Sequence, residues 1–142
     1  MKLANLFIAA HYDGRKNRAV SVAYLTEHDG TAIGTVRMDR RSGNVVDGGI
    51  TAGFAAFETG CVMARMAGKS RILLHAPEGV DDCIAIRIRE DENMPVDGDG
   101  GADYFGMGVY VYRPGDGAAK SAWQEGALAK ARATLWCLEP EK

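Results

Sequence analysis

The groups in this sequence best suited to meet a phosphate or a metal lie in short charged stretches between apolar segments. Arg15, Lys16 and Arg18 follow an Asp13-Gly14 turn, and Arg37, Arg40 and Arg41 cluster further along. Together they offer a rim of cations for phosphate, although charges flanking hairpins are commonly just solvated. Asp97-Gly98-Asp99-Gly100 begins like a calcium loop. Such a loop needs a bidentate glutamate at its twelfth position, where this chain has Gly108, so calcium is not expected. Glu58 stands in an apolar stretch, either as a proton-transfer group or as a marginal residue reaching water or an arginine. His75 reads as a hydrogen-bonded core histidine rather than a general base, because no Ser/His/Asp or Cys/His pattern accompanies it. Tyr104, Tyr110 and Tyr112 could stack on bases, but alternating aromatics in a strand more commonly serve packing.

Composition narrows the classes. The chain has 142 residues, 46% of them apolar and 25% charged, which suits one soluble globular domain spanning 1–142. The net charge of −2 excludes a strongly basic footprint over the whole molecule while leaving room for a local patch. Cys61, Cys83 and Cys137 are odd in number, far apart and apolar in setting, so reduced thiols are expected rather than disulfides or zinc. The apolar run Leu3–Ala10 is short and interrupted by Asn5, so it reads as strand, not signal peptide, and a cytoplasmic location is expected with no membrane partner.

The elements that must position these groups follow from periodicity and turn chemistry. Leu3–Tyr12 reads as a first strand and Ala19–Thr26 as a second. Asp29-Gly30, a strong hairpin signal, joins it to a third strand over Thr31–Met38. After a polar loop, Thr51 is the expected N-cap of a helix reaching residue 67, with Gly68 as its left-handed C-cap. So few polar residues interrupt this helix that it should be covered on two sides. Ala56, Gly60 and Ala64 would permit close contact with the C-terminal helix. Arg71–Ala76 is continuously apolar, as expected of a buried strand lying parallel to a neighbour after a helical crossover. Gly79–Glu90 fits helix slightly better than strand, and Asp91–Asp103 reads as a mobile acidic loop. Tyr104–Tyr112 is a fifth strand, and Asp116 can cap a last helix running to about Trp136, with Trp123, Leu128, Ala131 and Leu135 on one side.

This order, a three-strand meander, a helix, a fourth strand, a short element, a fifth strand and a helix, resembles the ribonuclease H-like fold. His11-Tyr12-Asp13-Gly14 is similar to that family's first-strand motif, and Met63-Ala-Arg-Met-Ala-Gly68-Lys-Ser-Arg-Ile-Leu-Leu74 to its helix end, glycine turn and fourth strand. The resemblance implies an α/β domain with a five-stranded mixed sheet. It also implies a cluster of carboxylates holding one or two magnesium or manganese ions against a phosphodiester. Asp13 matches the first of these carboxylates and would be the metal ligand. The helix acid falls at Gly53, beside Phe54, and the fourth-strand acid at Ala76 or Pro77. Two expectations follow. In the first, the domain has no catalytic metal and no cofactor and works by binding nucleic acid or a protein, with Arg15, Lys16 and Arg18 as the phosphate contacts. In the second, a divergent nuclease has rebuilt its cluster from Asp13, Glu78, Asp81 or the adjacent Asp82, and Glu125, with magnesium or manganese.

Overall fold

The computed structural model describes residues 2–13, 15, 18–41, 48–76, 102–104, 107–111 and 122–136. Strands β1 (Leu3–Asp13), β2 (Arg18–Glu27) and β3 (Ala32–Arg41) form the expected antiparallel meander, β1 and β2 paired from Ala4↔Glu27 to Asp13↔Arg18. The Asp29-Gly30 turn closes β2 on β3. Thr31 N–H donates to Asp29 Oδ1 at 3.0 Å, which holds that carboxyl below its ordinary pKa, and Gly30 N–H donates to Glu27 O at 3.1 Å. Gly30 has φ +99°, and a Cβ on it would meet the Trp123 ring at 3.0 Å, so backbone and packing both demand glycine there.

Helix α1 (Gly48–Met66) begins earlier than the capping pattern suggests, so Thr51 lies inside the helix rather than at its N-cap. The C-terminal expectation holds in detail. Gly68 has φ +79°, its N–H donates to Arg65 O at 3.0 Å, and Lys69 N–H donates to Ala64 O at 2.9 Å, the two bonds of a Schellman ending. Strand β4 (Arg71–His75) then runs parallel to β1 on one side and to β6 (Met107–Val111) on the other. A short strand β5 (Ala102–Tyr104) pairs antiparallel with β6, so the segment expected to hold a single fifth strand contributes two. Ala102 and Asp103 thus belong to strand rather than to the acidic loop. The sheet is mixed, with order β3-β2-β1-β4-β6-β5. Residues 79–90, the rest of the acidic loop and Asp116 lie outside the described residues.

Alternation along β1 divides the core in two. Ala4, Leu6 and Ile8 pack with Phe54, Ala56, Phe57, Cys61 and Ala64 of α1, while Phe7 and Ala9 pack with Ala127, Ala131 and Leu135 of helix α2 (Ala122–Trp136). The helices therefore lie on opposite faces of the sheet. Ala56, Gly60 and Ala64 do not receive the C-terminal helix, as their spacing suggests; they seat α1 on the strands. A Cβ on Gly60 would come within 2.9 Å of Leu6 Cγ and closer to both its terminal methyls. Leu6 is fully buried and cannot swing aside. Gly60→Ala should accordingly lower stability by about 1–2 kcal/mol in urea titration, where the gain in helix propensity would otherwise raise it.

Coverage of α1 on two sides holds only for its first half. Residues 52–57 are all buried, whereas Val62 and Met66 are 51% and 83% exposed. The mostly apolar composition of this helix therefore reflects burial at one end and exposed apolar side chains, Val62 and Met66, at the other.

Candidate functional site

The parallel register of β1 against β4 ends at Phe7↔His75. At about 3.3 Å per residue, β1 continues for some 20 Å beyond that level to Asp13, accompanied by β2 and β3. The meander thus overhangs the end of β4 as a three-stranded ribbon, and the residues singled out for chemistry divide between two places.

The first place is the junction of β1, the end of β4 and α1. Among its described side chains, Ile8, Leu74, Phe54 and Phe57 share one apolar cluster, and Ala76 packs against it. Gly53, the position of the implied helix acid, is buried in α1. Glu58 is half-buried one turn further on. Cys61 is fully buried, and burial first, with the nearby Glu58 charge second, pushes its thiol up to about 12, so it stays protonated and inert.

The second place is the ribbon. Asp13 ends β1, and its Oδ1 accepts the Arg15 N–H at 3.0 Å, the local turn bond that aspartate makes before glycine. Arg15 is exposed. Arg18 is held: its Nε donates to Asp39 Oδ1 at 2.9 Å and its Nη2 to Asp39 Oδ2 at 2.6 Å, a bidentate pair across β2 and β3. Arg37 Nη1 lies 3.9 Å from the same Asp39 Oδ2, while its Nε and Nη2 each donate to Leu135 O at 3.3 Å. That carbonyl sits at the negative end of α2, where a cation is favoured. Of the expected phosphate contacts, Arg18 is therefore committed internally, Arg15 is presented to solvent, and Lys16 lies outside the described residues.

The expected carboxylates do not converge where they can be placed. Glu125 is exposed in the first turn of α2, next to Gln124, whose Nε2 approaches Asn5 Oδ1 at 3.5 Å. Asp13 stands eight residues further along β1 than Asn5, about 26 Å at strand rise, so these two acids cannot share an ion. Glu78, Asp81 and Asp82 lie outside the described residues. Among the described residues, no three His, Cys, Asp or Glu side chains are grouped to hold a metal.

A buried polar pair escaped sequence reasoning in part. His75 Nε2 donates to Asn5 Oδ1 at 2.9 Å, both residues are almost fully buried, and the Phe7 ring stacks on the imidazole at 4.4 Å. The core role expected of His75 is seen. Its partner could have been found from Asn5 alone, a polar residue in an apolar strand on the Phe7 side of the alternation.

No protein-family model matches the chain, and no curated protein matches it significantly. Solved structures do. It is similar to the crystal structure of RNase H1 from the halophilic archaeon Halobacterium salinarum, with a TM-score of 0.54 and 16% identity, covering 94% of this chain and 97% of that one. The fold is ribonuclease H-like. The N-terminal RNase H domain of a Mycobacterium tuberculosis protein, determined as a fusion with maltose-binding protein, also aligns, with a TM-score of 0.48 and 9% identity over 94% of this chain and 99% of that one. The described strands and helices follow the ribonuclease H-like order expected from the sequence, and the similarity to the Halobacterium salinarum structure supports that fold. At these identities it speaks for the fold alone. No described helix is long and apolar enough to cross a membrane.

Proposed function

We infer that this ribonuclease H-like domain works by binding nucleic acid and does not hydrolyse it. The observation that carries this reading is the hydrocarbon junction of β1, β4 and α1. A divalent ion there would find Ile8, Leu74, Phe54, Phe57 and Ala76 where oxygen ligands are needed. An ion at Asp13 would have one described carboxylate and keep most of its water, without the second anchor that clamps attacking and leaving oxygens.

The choice of nucleic acid rests on the ribbon. Residues 11–18 and 37–41 carry six basic side chains against two acidic ones, in a chain whose net charge is −2. A local excess of basic residues in these two segments of a weakly acidic chain favours a polyanion as the partner.

The test compares the purified protein with its Asp13→Asn variant on a labelled RNA/DNA hybrid, duplex DNA and single-stranded RNA, in millimolar magnesium and then manganese. Neither protein should cleave any substrate. Fluorescence anisotropy should show binding whose log K falls linearly with log salt, and the joint substitution Arg15→Ala, Lys16→Ala should weaken it on all substrates alike. Metal-dependent cleavage abolished by Asp13→Asn would instead establish the divergent nuclease built on Asp13, Glu78, Asp81 and Glu125.

A further inference from the structure

Asp39 occupies Arg18 as a phosphate would. Carboxylate and phosphate engage guanidinium through the same planar fork of N–H donors, and here Nε and Nη2 of Arg18 are both taken, at 2.9 and 2.6 Å. The two side chains keep 18% and 29% of their surface exposed, so an incoming anion can reach the pair without unfolding the strands. Arg37 is differently placed. Its Nε and Nη2 donate to the last turn of α2, and its Nη1 lies 3.9 Å from Asp39. Arg37 therefore serves to anchor α2, and Arg18 is the cation that can be exchanged.

We propose that Asp39 is an internal competitor for the phosphate site of the ribbon, holding Arg18 in a closed pair that a nucleic acid phosphate must displace. This rests on the nucleic-acid reading above. Binding then carries the loss of the Arg18–Asp39 pair, which lowers affinity and leaves the exposed Arg15 to make the first contact. Salt weakens both the internal pair and the phosphate contact, so the competitor matters most at low ionic strength.

The experiment is a double-mutant cycle on Arg18 and Asp39, read by anisotropy on a 20-base-pair RNA/DNA hybrid at several salt concentrations. Asp39→Asn should bind about 3–10-fold more tightly than the parent at low salt and steepen the salt slope by about 1, because no freed Asp39 carboxylate then takes up a cation to offset the one released from the phosphate. Arg18→Ala alone should change little, and in the double variant the gain from Asp39→Asn should vanish. A gain that persists without Arg18 would mean a general field effect and overturn the competitor role. So would parent binding with no gain from Asp39→Asn. If neither the parent nor Asp39→Asn binds, the nucleic-acid reading falls as well. Circular dichroism checks folding. If Asp39→Asn is unfolded, Asp39→Thr, well suited to a strand, takes its place in the cycle.

Discussion

Phe57→Ala is expected to cost about 3–5 kcal/mol of folding stability, measured as a shift in urea midpoint at constant slope. Phe57 is fully buried at the centre of the cluster between α1 and the sheet, with the Phe54 ring 5.5 Å away and Leu6, Ile8 and Leu74 in the same cluster. Two terms add: the lost transfer of an aromatic side chain from water, and the cavity left because β1 and β4 are tied to their neighbours on both sides and cannot collapse inward. A loss below about 1 kcal/mol would place Phe57 outside the core and remove the ground for calling the junction hydrocarbon.

The second large effect belongs to the opposite face. Asn5→Ala should cost about 2–3 kcal/mol, although it deletes only a small polar side chain, because it strips the buried His75 Nε2–H of the acceptor it has at 2.9 Å. Desolvation without a partner is the larger part of that cost. Asn5→Leu combined with His75→Phe should therefore lose markedly less than the sum of the two single changes, since both ends of the bond are replaced by apolar groups beside Phe7. Additive losses would show that the pair contributes no coupling and that packing alone explains each residue.

Much of the fold is legible in local sequence. Asp29-Gly30 specifies its hairpin because only a few residues decide a turn, and Gly68 ends α1 because a single left-handed residue is enough to satisfy the last carbonyls. The unbroken apolar run at Arg71–His75 marks a strand with neighbours on both sides, which β1 and β6 supply. The order of these elements was enough to reach the ribonuclease H-like fold.

Other features depend on residues far apart in the chain, and no local pattern encodes them. Ala56, Gly60 and Ala64 announce a close approach without saying to what; sheet and helix both fit, and the positions of β1 and α2 select the sheet. Asp13-Gly14 reads the same at the end of a long overhanging strand as beside an active site. The Phe7↔His75 register alone puts it about 20 Å beyond the end of β4. Arg15, Lys16 and Arg18 look equivalent in sequence, yet the pairing of β2 with β3 brings Asp39 to Arg18 and sets it apart. Sequence fixes what each segment prefers over a few residues, through periodicity and backbone conformation. Which charge is compensated, which polar group is satisfied and which acids can meet are decided by distances between strands, and those exist only once the sheet has formed.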